Sequence, residues 1–171
     1  MGLQGSELHQ MLVDKLVSRG GEASSVVLPG ALIHPPQPKW NEALCLYKWL
    51  GWSKGETQKL IRSLHDVSDG GVLVALAECL VARNLGAVIE IPMDQDPWCF
   101  GFGEGFHSFV ASLPETDLEE IEAEFKRYHV PALRLGRVIS EPVLKVVHKK
   151  ECFNVEVSAL EKAWNKKGYW E

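Results

Sequence analysis

The chain has 171 residues, 46% of them hydrophobic and 24% charged, and a formal net charge of -5. That is enough chain for one good core, and the acidic balance argues against a protein that binds nucleic-acid backbones generically. No apolar run approaches the length of a membrane span and the start lacks a basic-then-apolar leader pattern, so the expectation is a cytoplasmic domain with no membrane and no nucleic-acid partner.

In chain order, Ser6 can cap a short helix running to about Val17, and residues 18–25 read as a flexible connection from their Gly and Ser content. Residues 29–38, with Pro35-Pro36 inside them, are expected to be extended and to wrap a surface, because proline lacks the amide donor and disfavours helix before it. Residues 41–52 follow as a helix whose Ala43, Leu44, Cys45, Leu46, Tyr47, Trp49, Leu50 and Trp52 surround most of the circumference. An all-round apolar helix either sits deep in the domain or turns one side to something that is not in this chain.

From Leu60 the expected order is a buried strand (60–64), a helix (72–80), a strand (87–91), a connection, a strand (107–113), a helix and a strand (132–139). That order is βαββαβ. The second helix is announced by the capping box Thr116-Asp117-Leu118-Glu119 and by Leu118, Ile121, Phe125 and Tyr128 at helical spacing, and His129-Val130-Pro131 stops it. Two short strands (143–148 and 153–157) and a last helix (158–166) complete an α/β sandwich with a ferredoxin-like core. Residues 1–58 are expected to form an N-terminal helical and extended arm packing on a core domain made by residues 59–171. Cys45, Cys79, Cys99 and Cys152 are widely spaced, with no Cys-x-x-Cys pair and no histidine at a zinc-like interval, so reduced thiols are expected. The Lys149-Lys150 pair, with Lys145 and His148 nearby, reads as a solvated strand end.

The stretch His65-Asp66-Val67-Ser68-Asp69-Gly70-Gly71 carries the chemistry. It places two carboxylates, a hydroxyl and a glycine pair where an apolar strand gives way to a helix. A helix starting at Gly70-Gly71 points unpaired amides and the positive end of its dipole into the turn, a setting for phosphates and their metal ions. The alternative is structural: Ser68 or Asp69 caps the helix and the glycines make a tight turn. No nucleophile-elbow sequence or Cys/His pair suggests an independent hydrolase, and no residue is assigned a catalytic role.

This heptapeptide, followed by Ala75-Leu76-Ala77-Glu78 and Asn84-Leu85-Gly86-Ala87, resembles the signature of phosphoribosylformylglycinamidine synthase. Gly5-Ser6-Glu7-Leu8-His9-Gln10 looks like that family's Gly-Ser helix start, Leu135-Gly136-Arg137-Val138 like its late strand, and Leu160-Glu161-Lys162-Ala163-Trp164 like its closing helix. The resemblance spans nearly the whole chain but only one piece of the enzyme, the C-terminal domain of an ATP-binding half of the aminoimidazole-ribonucleotide-synthetase (AIR synthase) type. It implies the fold just described, ATP or ADP and Mg²⁺ as cofactors, and a share in the ATP- and glutamine-dependent amidation of formylglycinamide ribonucleotide in purine biosynthesis. Carried over by position, Asp66 is implied as the magnesium ligand, Ser68, Asp69, Gly70 and Gly71 as nucleotide-phosphate contacts, and His65 as a residue that orients the turn. The expected partners are the remaining synthase domains or subunits and a phosphoribosyl substrate.

A second segment, Gly101 to Val110, is similar to the family's Phe-(Ser/Gly)-Glu-Ser-x-x-Arg stretch, with Phe102, Gly103 and Glu104 in place and Glu104 implied at the phosphate site. It departs at Ser108, where arginine is usual, and at Gly105, where serine is usual. Serine cannot replace arginine's fixed fork of donors, and a glycine-rich turn opening a strand is the competing reading. Two alternatives stand beside the synthase: a diverged or truncated non-catalytic assembly domain, and a selenophosphate-synthetase or hydrogenase-maturation-type domain.

Overall fold

The computed structural model describes residues 38–52 and 60–165. The expected helix at 6–17, the connection at 18–25 and nearly all of the proline stretch lie outside the described residues. Helix α1 runs from Trp40 to Trp52. It is followed by strand β1 (Ser63–Asp66), helix α2 (Gly71–Arg83), strand β2 (Gly86–Glu90), short helix α3 (Pro97–Phe102) and strand β3 (Phe109–Ser112). A 3₁₀ turn (Glu115–Asp117) then leads into helix α4 (Leu118–Arg127), strands β4 (Gly136–Ile139), β5 (Val143–His148) and β6 (Glu151–Glu156), and helix α5 (Val157–Trp164). No helix among the described residues is long and apolar enough to cross a membrane.

The α/β class and the order of strands and helices agree with expectation, but the strands are distributed over two ladders. β1 pairs antiparallel with β3 alone, while β2 sits inside a four-stranded sheet of order β4-β2-β5-β6. Its neighbours run antiparallel (β4) and parallel (β5), so β2 is covered on both edges. A strand flanked on both sides and packed by helix carries apolar residues in most positions. Ala87 and Ile89 accordingly join Leu144 and Val146 of β5, Val72, Ala75, Leu76 and Leu80 of α2, and Val157 of α5 in the buried cluster. Each such leucine or valine contributes about 1.5–3 kcal/mol relative to an exposed position.

Three local expectations are corrected. The strand expected at 60–64 lies at Ser63–Asp66, and it is not buried: Leu64 is exposed, because this ribbon is two strands wide. The capping box at Thr116 does not form, since the 3₁₀ turn precedes α4 and the Thr116 hydroxyl donates to the Asp117 carboxylate instead. The connection after β2 contains α3, which the Asp96 carboxylate caps by accepting from the amides of Trp98 and Cys99 at 3.0 and 2.9 Å. Helix α1 is neither wholly buried nor wholly free. Ala43 and Trp49 are buried, with Trp49 set edge-on against Phe125 of α4 at 4.9 Å, whereas Leu44 and Tyr47 face outward. All four cysteines are free thiols, and burial raises the pKa of Cys79 and Cys99.

Candidate functional site

The turn between β1 and α2 is held from both ends. The β1–β3 ladder sets Asp66 opposite Phe109 and continues one step further, the Val67 amide donating to the Ser108 carbonyl at 2.8 Å. Val67 is buried in the main cluster, so the strand end is anchored in the core while Asp66, Ser68 and Asp69 on either side of it stay exposed. Alternation along an extended chain gives this result: one apolar side chain goes in and its neighbours come out.

Asp66 and Ser68 form one polar unit, the Ser68 hydroxyl donating to the Asp66 carboxylate. That hydrogen bond is the main reason the Asp66 pKa lies below the ordinary carboxylate value; a backbone amide and the neighbouring His65 lower it further, against a smaller opposing effect of desolvation. An exposed, readily ionised carboxylate is suited to a hard cation. His65 is clamped between turn and helix: its Nδ1 donates to the Asp66 carbonyl at 2.7 Å, and its Nε2 lies 3.2 Å from the Glu78 carboxylate on α2. The ring therefore ties β1 to α2, which is an orienting geometry. Glu78 carries no obvious chemical signal of its own in the sequence beyond the Ala-Leu-Ala-Glu string in which it sits.

Gly70 and Gly71 adopt left-handed φ angles of 80° and 77°. The α2 start has no side-chain cap from Ser68 or Asp69, so the capping half of the structural reading is not realised, while the glycines do make the tight turn. The cap comes from far along the chain: Glu104, after α3, accepts from the Gly70 amide at 3.1 Å. The Gly71 amide donates to the Ser68 carbonyl at 3.2 Å. At Gly71 the missing side chain is required by the protein's own packing, because a Cβ there would lie 2.8 Å from the Phe102 carbonyl carbon and 2.9 Å from the Gly101 oxygen. The structure thus brings His65, Asp66, Ser68, Asp69, Gly70, Gly71 and Glu104 to one turn, with a carboxylate already seated at the positive end of α2.

The loop between α3 and β3 extends the site. The Ser108 hydroxyl makes a long 3.5 Å contact with the Phe106 carbonyl and does not reproduce an arginine fork. His107, at a left-handed φ of 58°, reaches the other way, to the Tyr47 hydroxyl of α1 at 2.8 Å. Sequence reasoning had no means of joining residues 60 positions apart. Among the described residues no group of three or more His, Cys, Asp or Glu side chains could hold a metal ion.

Comparison with known proteins follows the same outline. A family model described as "AIR synthase related protein, C-terminal domain" matches residues 45–149. The phosphoribosylformylglycinamidine synthase subunit PurL of Lacticaseibacillus paracasei is 35% identical over 112 residues, which is 65% of this chain and 14% of that protein. Phosphoribosylformylglycinamidine synthase II of Thermotoga maritima superposes with a TM-score of 0.61 at 22% identity, over 73% of this chain and 22% of that one. The T. maritima PurL complexed with ATP gives a TM-score of 0.55 at 24% identity, over 60% and 19%. These superpositions establish a common fold. The chain spans about one seventh of the length of its curated relative.

Proposed function

Because the chain belongs to the family of AIR synthase related protein C-terminal domains, we propose that it is a C-terminal portion of phosphoribosylformylglycinamidine synthase that contributes one wall of a Mg²⁺–nucleotide phosphate site. The observation that carries this reading is the convergence of Asp66, Ser68 and the left-handed Gly70-Gly71 pair on the amino end of a 13-residue helix. A helix of that length presents roughly half a positive charge and several amides to an anion at its start.

Magnesium fits the donor chemistry as an ion held by one carboxylate, with phosphate oxygens and water filling its other positions. Asp66 would hold it, and the ion would neutralise charge on the β- and γ-phosphates. Ser68 donates to Asp66, holding its pKa below the ordinary carboxylate value, and can turn its hydroxyl to a phosphate oxygen instead. Glu104 acts through Gly70: it already presents an anionic oxygen to that amide, so a phosphate entering the turn replaces one anion with another. His65, fixed between Asp66 and Glu78, keeps strand and helix in register around the turn. The remaining donors for phosphoryl transfer, and the source of ammonia, belong to synthase domains or subunits outside this chain, so the isolated chain does not turn over.

Calorimetric titration with Mg·ADP and Mg·ATP tests the reading. Binding by the intact chain that is lost in both Asp66→Ala and Ser68→Ala supports it; absence of binding by the intact chain moves the weight to a non-catalytic assembly domain, which the loss of the arginine at position 108 also favours. Amidation of formylglycinamide ribonucleotide by the purified chain would overturn the claim that it is incomplete.

A further inference from the structure

We propose that Tyr47 of α1 is a positioning residue for the turn between β1 and α2, acting through His107 and the loop that joins α3 to β3. That loop grips the turn at both ends. Glu104, just after α3, accepts from the Gly70 amide at 3.1 Å, and the Ser108 carbonyl, just before β3, accepts from the Val67 amide at 2.8 Å. Ser68 and Asp69 lie between the two gripped amides and Asp66 directly precedes them, so the placing of all three side chains follows that of the loop.

The loop is in turn held by α1. His107, directly before Ser108, has a left-handed φ of 58°, a conformation that disfavours any residue with a Cβ and persists where surrounding contacts impose it. Helix α1 supplies such contacts: the Tyr47 hydroxyl and His107 Nδ1 are hydrogen-bonded at 2.8 Å, the Tyr47 ring meets the imidazole edge-on at 5.4 Å, and Trp40 lies tilted against it at 5.8 Å. The helix can act as a fixed post because its far side is anchored. Trp49, two residues on and so about 200° round the helix, is buried and packs edge-on against Phe125 of α4. A path of short contacts thus runs from the core at Trp49, through Tyr47 and His107, to the Ser108 carbonyl and the Val67 amide.

That the turn takes a phosphate rests on the function proposed above, whereas the brace can be read without a ligand. Tyr47→Phe removes the hydroxyl and keeps the ring. In the full chain, hydrogen exchange of the Val67 amide should then speed up about two- to tenfold, the scale of one lost hydrogen bond. The Ile91 amide, bonded to the Val147 carbonyl at the end of β2, should keep its rate. Equal acceleration of both amides would assign Tyr47 to overall stability, and no change at Val67 would cut the path at His107; either result overturns the proposal. In a His107→Gly background the imidazole is gone and a left-handed φ is freely adopted, so adding Tyr47→Phe should leave Val67 exchange as it was. A further acceleration there would reveal another route and overturn the proposal too. Calorimetry with Mg·ADP carries the test to the site: affinity should fall by a similar factor in Tyr47→Phe, and an unchanged affinity would overturn the positioning role. An intact chain that binds no Mg·ADP would refute the phosphate reading and leave the exchange result to decide the brace.

Discussion

Gly71→Ala separates two reasons for a glycine at the start of α2, room for a ligand and room for the protein itself. The φ of 77° puts an alanine in the left-handed region, at a cost of about 1–2 kcal/mol. Its Cβ would also meet backbone atoms of Gly101 and Phe102 at 2.8 to 2.9 Å, and backbone in a short capped helix cannot step aside as a side chain can. Overpacking of this kind adds about 1–3 kcal/mol. A total near 3 kcal/mol lowers the melting temperature of a domain this size by roughly 6–12 °C. Gly70→Ala meets the same φ penalty, and its obstacle is the Val74 side chain, with Cγ2 at 2.6 Å and Cβ at 3.0 Å, so a χ1 change moves the nearer methyl but leaves Cβ close and relieves only part of the clash. Gly51→Ala, on α1 with nothing within 4 Å of the added methyl, should be neutral or stabilising by about 0.5–1 kcal/mol. Thermal unfolding of the three variants gives the ranking. A Gly71 variant that melts within a degree or two of Gly51→Ala would refute the packing argument and return this glycine to a ligand-access role.

Two further outcomes are expected. Removing the Ser68 hydroxyl in Ser68→Ala should move the Asp66 titration up toward the ordinary carboxylate value, read from its side-chain carbonyl shift by NMR. By linkage, a carboxylate depressed in the folded state contributes stability above its unfolded pKa and loses it as pH falls through the folded pKa, so the variant, whose two pKa values lie closer together, has less of that contribution at neutral pH and less to lose in acid. An unchanged midpoint would show that Ser68 is not the main cause. Glu104→Gln should lower stability by about 0.3–1 kcal/mol through the lost charge at the helix start, an effect that fades in high salt. The same loss at every salt concentration would instead assign Glu104 a packing role.

What the sequence made legible was what depends on near neighbours. β5 occupies the expected residues 143–148, where apolar residues dominate a short run, and α4 follows from Leu118, Ile121 and Phe125 at helical spacing. The turn motif was placed correctly between strand and helix, because an apolar run followed by Asp, Ser and paired glycines leaves few other local arrangements. Helix α3 is obscured by its glycine and proline, although Asp96-Pro97 is itself the signal of a capped start with proline in the first turn. Pairing in the sheets was not legible. Which strand lies beside β1 is decided by packing over some 45 residues, and no pattern within either strand encodes it. For the same reason only the family resemblance points to Glu104 in the sequence, whereas its contact with the Gly70 amide is a feature of the three-dimensional fold.

The tie between Gly70 and Glu104, 34 residues apart, makes the motif an assembled object rather than a portable one. The strand before it needs β3, Ser63 lying opposite Ser112, and the helix after it needs the sheet formed by β2 and β5. Loops of 34 residues or more must close before the contacts with Glu104 and β3 form, an entropic cost that the motif cannot offset alone. A peptide carrying residues 60–83 would keep the letters of the signature and lose its shape. Grafting the heptapeptide onto another strand and helix would fail equally, unless the carboxylate at position 104 and the backbone wall of α3 went with it.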